Sequence, residues 1–184
     1  MMQRQRYIPP LKPDCVHEVW GPSAYNFALI RAAVVQGSVL LAREAWRSEQ
    51  LNPLGMIDIL PAENFLTVST KNQTDTLASA EEALRSGVLG FVIMDLTAPL
   101  DLTAGRRLQL AARAGKTTGL AIISEDMGSN AAQTRWECQP LFDPQDSTLQ
   151  RWKLIKNKSG TLGAWNVRWS ATSRRINVVS QTGQ

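Results

Sequence analysis

The chain predicts an α/β fold in which a mostly parallel, twisted sheet flanked by helices is extended at its C-terminal end by an antiparallel meander. Residues 90–96 are apolar except for Asp95 and are bounded by Gly87 and Pro99, which reads as a strand buried on both faces of a parallel sheet. Strand-like and helix-like patterns alternate five times up to residue 123. From Trp136 the period drops to two and short polar turns intervene, as in antiparallel hairpins.

Residues 1–14 are basic and proline-rich without periodicity, and read as an arm lying on a neighbour or in solvent. Residues 15–184 read as a single domain, with 135–184 as its basic antiparallel part. Residues 16–20 form the first strand, which Gly21-Pro22-Ser23 ends. Phe27, Ile30, Ala33 and Val34 then recur at helical spacing over 24–36, with Gly37 as the stop. Residues 39–42 are a second strand, 43–52 a polar irregular stretch, and 65–68 a third strand. Thr74 or Asp75 caps a helix running to Arg85, and Gly87 terminates it. The buried strand follows, then a helix over 103–114 stopped by Gly115, then a strand over 120–123. The meander comprises 149–156, 165–169 and 176–179.

Composition narrows the functional classes. A hydrophobic content of 43% and a charged content of 20% describe a globular domain. No run is long enough to span a membrane, and the N-terminus, with Arg4, Arg6, Pro9 and Pro10, lacks the apolar core of a signal peptide. Cys15 and Cys138 read as reduced thiols of a cytoplasmic protein, and the single histidine, His17, argues against a zinc site. Seven of the 20 basic residues and none of the 16 acidic ones follow Asp146, so a +7 tail succeeds a body of net charge −3. Those residues, Arg151, Lys153, Lys156, Lys158, Arg168, Arg174 and Arg175, are candidates for a basic surface facing DNA or an acidic protein.

Asp95, at the carboxyl end of a buried strand, stands where a Walker B aspartate would, and its plain alternative is a strand-ending cap. A phosphate-binding loop belongs between the first strand and first helix, where the chain reads Gly21-Pro22-Ser23-Ala24-Tyr25-Asn26-Phe27-Ala28. Gly21 remains, but Asn26, Phe27 and Ala28 stand in for the second glycine, the lysine and the metal-binding hydroxyl. ATP hydrolysis is therefore expected to be absent, with no cofactor and no catalytic residue. Gly115-Lys116-Thr117-Thr118 mimics a Walker A ending, yet it leads from a helix into a strand, the reverse of the required order.

Over most of its length the chain resembles the RecA core. Val16-His17-Glu18-Val19-Trp20-Gly21-Pro22 looks like the strand entering the phosphate loop, and Leu40-Leu41-Ala42-Arg43-Glu44 looks like the strand that ends on the catalytic glutamate. Phe91 to Asp95 and Trp152-Lys153-Leu154-Ile155-Lys156 are similar to the Walker B region and the late basic strand. Within that superfamily Leu100-Asp101-Leu102-Thr103-Ala104-Gly105-Arg106-Arg107-Leu108-Gln109-Leu110-Ala111-Ala112 looks most like ImuA, joined by Thr134-Arg135-Trp136 and by Trp165, Val167 and Trp169. The resemblance implies a damage-induced mutagenesis cassette of bacteria, in which ImuA acts with a polymerase-like subunit, ImuB, in translesion synthesis. It implies that Glu44 and Asp95 survive without a phosphate grip. It also implies that the two DNA-binding loops of RecA, at 97–103 and 124–134, are short here, and that Ser124-Glu125-Asp126 disfavours phosphate.

The expected function is a non-catalytic adaptor of the SOS response to DNA damage, with ImuB or RecA as partner, weak DNA contact through the basic C-terminal part, no membrane, and self-association as a further option. Arg106, Arg107 and Arg135 are the partner-binding candidates, against solvated surface as the plain reading of the adjacent pair. A SulA-like division inhibitor and a DNA-dependent ATPase with an atypical loop are the alternatives. Trp165 and Trp169 share strand parity and are expected in the sheet core rather than on a base-stacking surface.

Overall fold

The computed structural model describes residues 7–182, so the expectations resting on Arg4 and Arg6 lie outside the described residues. Nine strands form one sheet: β1 (Val16–Trp20), β2 (Val39–Glu44), β3 (Phe65–Thr70), β4 (Phe91–Asp95), β5 (Thr118–Ile122), β6 (Thr134–Pro140), β7 (Gln150–Asn157), β8 (Gly163–Ser170) and β9 (Arg175–Thr182). Their spatial order is β3-β2-β4-β5-β1-β6-β7-β8-β9. The first six pair in parallel and the rest antiparallel. The helices are α1 (Ala24–Ala32), α2 (Pro53–Met56), α3 (Gln73–Ser86) and α4 (Leu102–Gly115).

Several boundaries differ from those the sequence predicts, each for a local reason. Asn72, not Thr74 or Asp75, caps α3, because its side chain accepts from the Asp75 amide at 2.9 Å. Gly87 does close α3, in the left-handed conformation at φ 69°. Arg43 and Glu44 belong to β2 rather than to an irregular stretch, since β3 continues beside them to Thr70. β6 is a strand that the periodicity of the sequence does not predict. It runs parallel to β1 while pairing antiparallel with β7, so it is the strand on which the sheet changes sense. β4 is flanked by β2 and β5 and buried throughout, as its composition predicts, although β1 occupies the middle of the nine.

The sheet separates two cores. On one face α3 and α4 lay Ala80, Leu84, Leu108 and Ala111 over Val92, Met94 and Ala121. On the other, α1 packs Phe27 against Trp136 and Trp152, with ring centroids 5.2 and 4.7 Å apart, and Trp165, Val167 and Trp169 complete this cluster. The tryptophan stripe is thus core, as strand parity predicts. Arg31 lies among the same rings, 5.1, 5.3 and 5.0 Å from the centroids of Phe27, Trp136 and Trp152. Burial lowers its pKa to about 10, and one hydrogen bond reaches the Pro9 carbonyl at 3.3 Å.

That bond is part of how the arm is held. Residues 7–14 do not extend away from the domain: Ile8 and Leu11 pack on its own core. His17 bonds Thr134 Oγ1 through Nδ1 at 2.6 Å and the Lys12 carbonyl through Nε2 at 2.9 Å. Its burial lowers the pKa from 6.5 to about 4. The unfolded chain therefore binds a proton that the folded chain refuses between these values. Stability from the neutral ring is complete above pH 6.5 and is lost as pH falls toward 4, by up to about 3 kcal/mol. Urea melts between pH 7 and 4.5 should show this acid-side decline, and His17→Gln should flatten it.

Candidate functional site

The carboxyl edge of the parallel sheet, where open α/β sheets bind ligands, gathers the ends of β1, β2 and β4. Asp95 closes β4 and Glu44 closes β2, with exposures of 2% and 7%. A carboxylate so buried must be paired to remain ionised. For Asp95 the partners are Tyr25, whose hydroxyl donates to Oδ2 at 2.5 Å, and Arg47, whose Nε lies 3.2 Å from the same oxygen. Burial first, and the Asp95 bond second, push the Tyr25 phenol above its usual range, so it remains a donor. Glu44 accepts from the Thr97 hydroxyl and from the Trp46 indole Nε1, the latter at 2.7 Å. These bonds, Thr97 foremost, hold the Glu44 carboxyl below its usual range. Gln73 in turn accepts from the amides of Thr97 and Ala98 at 2.8 and 2.7 Å, fastening the loop after β4 to the start of α3.

The phosphate-loop slot has a different shape from the one its spacing suggests. Helix α1 already begins at Ala24, so Asn26, Phe27 and Ala28 are helical residues rather than parts of a loop. Phe27 and Ala28 turn into the core and Asn26 faces outward. Backbone donors are spent locally: Ser23 N on the Cys138 carbonyl at 3.2 Å, Ala24 N on Gly21 at 3.0 Å and Phe27 N on Ser23 at 2.9 Å. Gly21, at φ 106°, is needed for this turn, since a Cβ there would collide with the Cys138 carbonyl. Of the six slot and carboxylate residues, only Glu44 and Asp95 face the cluster. Tyr25 and Arg47, which complete it, carried no sequence signal. A search for the partner of a buried aspartate would have had to know that β2 lies beside β4.

The candidate arginines part company. Arg107 pairs with Glu81 of α3 at 2.8 Å. Arg135 pairs with Glu18, 1% exposed, at 2.8 Å, and also donates to the Ser129 carbonyl at 2.9 Å. Arg106 is exposed and makes no ion pair among the described residues. It shares the outer stripe of α4 with Leu102, Leu110 and Arg113, and these border a groove of ≈ 560 Å³ whose far wall includes Lys158.

The basic tail is partly neutralised by its own surroundings. Lys153 lies 3.8 Å from Glu137, and Arg168 lies 2.5 Å from Asp146. Lys156 donates to the carbonyls of Ser129 and Asn130 at 2.8 and 3.0 Å, and Lys158 to that of Ala131 at 2.9 Å, so both brace the loop after β5. Arg151 bonds Asn166 and Arg174 the Ile59 carbonyl, at 3.3 and 3.2 Å, while Arg175 is exposed at the start of β9. No group of metal-ligating side chains gathers among the described residues, and no helix there is long and apolar enough to cross a membrane.

With this architecture the chain is similar to the RadB recombinase, whose crystal structure aligns over 91% of this chain and 92% of that one at a TM-score of 0.68 and 14% identity. The fold is therefore RecA-like, as the sequence resemblance implies. In sequence the chain is 26% identical over 159 residues to Protein ImuA of Caulobacter vibrioides, in strains NA1000 / CB15N and ATCC 19089 / CIP 103742 / CB 15 alike. The match takes in 84% of this chain and spans 62% of the length of those relatives. No family model matches.

The Tyr25, Asp95 and Arg47 interlock has a measurable weight. Tyr25→Phe should leave the secondary structure intact and lower unfolding stability by about 1–3 kcal/mol, the cost of depriving a buried carboxylate of a donor, in urea melts followed by circular dichroism.

Proposed function

We propose that this chain is a non-catalytic RecA-like adaptor of the bacterial SOS response to DNA damage, supporting translesion mutagenesis through protein–protein contacts. The observation that carries the reading is the occupancy of the two surviving carboxylates by the chain itself. A Mg-nucleotide needs Asp95 free for the metal and Glu44 free to direct water. Here Asp95 holds Tyr25 and Arg47, and Glu44 holds Thr97 and Trp46. A nucleotide would also lack the cation its phosphates require, since Phe27 is turned into the core, and would find the Ser23 and Ala24 amides before α1 already bonded. The similarity to ImuA supports the biological setting. A polymerase-like ImuB subunit or RecA is the partner in this reading.

The surface best suited to that partner is the stripe of α4. Arg106 and Arg113 stand seven positions apart on one face with Leu102 and Leu110 between and before them, and Lys158 faces them across the groove. Apolar residues alternating with cations fit an amphipathic acidic segment laid along the groove. Arg107 is excluded from this face by its pairing with Glu81, and Arg135 by its pairing with the buried Glu18. DNA contact, if made, falls to the exposed Arg151 and Arg175.

Two outcomes test this. Millimolar Mg-ATP should leave the thermal unfolding midpoint unchanged, because a ligand that binds only the folded state must raise it; a rise of several degrees would favour the ATPase alternative. In binding titrations with the ImuB subunit and RecA of the same host, Arg106→Glu with Arg113→Glu should weaken the complex at least ~10-fold while the fold persists, and Arg107→Ala should have little effect. Undiminished binding by the double variant would remove α4 as the contact.

A further inference from the structure

The arm, residues 7–14, and the turn that follows β7 bound a cleft of ≈ 630 Å³. Its volume falls in the range of ligand sites, roughly 300–1,000 Å³. The buried Thr134, Trp136, Leu154 and Trp165, from β6, β7 and β8, line its inner side. Tyr7, Pro9, Pro10 and Lys12 line it from the arm, and Ser159 and Leu162 from the turn. Tyr7 and Leu162 carry apolar surface into solvent there, at exposures of 61% and 46%. No acidic side chain lines the cleft, and Lys12 makes no ion pair among the described residues.

One donor on the inner side lacks an acceptor. Trp165 is 5% exposed, and its buried indole Nε1 has no hydrogen-bond partner. Its neighbours are provided for: Trp136 Nε1 donates to Thr134 Oγ1 and Trp152 Nε1 to Gln150 Oε1, each at 3.0 Å. Trp169 is also unpaired but does not line the cleft. A buried indole N–H normally finds a partner, because leaving it without one forfeits its hydration for nothing.

The arm shows which kind of chain suits this surface. Pro9, Pro10 and Pro13 have no N–H, and each biases the residue before it toward extended backbone, so residues 8–13 build no ladder. Side chains of the domain take the carbonyls instead. Arg31 donates to that of Pro9 at 3.3 Å and His17 to that of Lys12 at 2.9 Å, while Ile8 and Leu11 pack on the core. A proline-rich chain held through its carbonyls by side-chain donors, over aromatic rings, is the polyproline II mode of recognition. The cleft offers the same elements alongside the arm: buried rings, an unpaired indole donor, and no acid to compete for it. We infer that it binds a proline-rich segment of a partner protein in polyproline II conformation, with one carbonyl on the Trp165 indole and proline rings between Tyr7 and Leu162. Gln133 lines both this cleft and the α4 groove, so one partner can reach the two. The inference rests on the adaptor reading for the existence of such a partner.

The test is a titration of the isotopically labelled full chain, read by amide and indole resonances. The probes are an end-blocked peptide of repeating Ala-Pro-Pro, a peptide of equal length with Ser in place of Pro, and phenylacetate. Since neither ImuB nor RecA takes part, failure here is distinguishable from failure of the α4 contact. The proline peptide should move the Trp165 indole N–H downfield, together with the amides of Thr134 and Leu162, at millimolar concentration. The serine peptide should bind at least ~10-fold more weakly, since it must be ordered on binding. Trp165→Phe, which keeps a ring and removes the N–H, should weaken binding about fivefold. Leu162→Asp, a substitution in exposed surface that cannot empty the core, should weaken it as well. Absence of localised shifts, an unmoved indole N–H, equal binding of the serine peptide or of phenylacetate, or unchanged affinity of either variant would each overturn the proposal. The same shifts on concentrating the protein without peptide would assign the cleft to a second copy and overturn it too.

Discussion

The structure depends on the pairing of one buried carboxylate. Asp95 ends a strand enclosed on both sides and both faces, where ionisation without a partner is prohibitively costly. Its two partners come from different parts of the chain: Tyr25 from α1, Arg47 from the turn after β2. Their convergence fixes α1 against the carboxyl edge and draws the start of the long crossover inward. At this edge Asp95 is thus held by the protein's own donors.

The other face of α1 is given to packing. Phe27 sits against Trp136 and Trp152 and so ties the antiparallel strands to the parallel half of the sheet. Arg31 is accommodated there by ring faces rather than by a carboxylate, which keeps a charge inside an apolar cluster at the expense of its hydration. The adaptor reading draws on this economy of donors: what a nucleotide-binding relative would present outward, this chain uses to hold itself together.

Some of the donors and apolar groups left over are gathered: Arg106, Arg113, Leu102 and Leu110 fall on one stripe of α4. A surface of mixed cationic and apolar character suits a protein that docks on a partner. The tail, strongly basic in sequence, is less so in space, because Glu137, Asp146 and the carbonyls of residues 129–131 absorb four of its cations.

Sequence alone determined the class of fold, the buried β4 with Asp95 at its end and the core parity of Trp165 and Trp169, and it shows that residues 21–28 lack the phosphate-loop pattern. Each of these is a local property: an apolar run, a period of two, or a residue type at one position, and local properties survive in one dimension. The tertiary structure decided who meets Asp95 and Glu44, since Tyr25 is 70 positions from one and Thr97 53 from the other. It likewise decided that Arg135 pairs with the buried Glu18, 117 positions away, and that adjacent Arg106 and Arg107 have different surroundings. Contacts at such separation are set by strand order, β3-β2-β4-β5-β1-β6, and no periodicity in the chain encodes which strand will lie beside which.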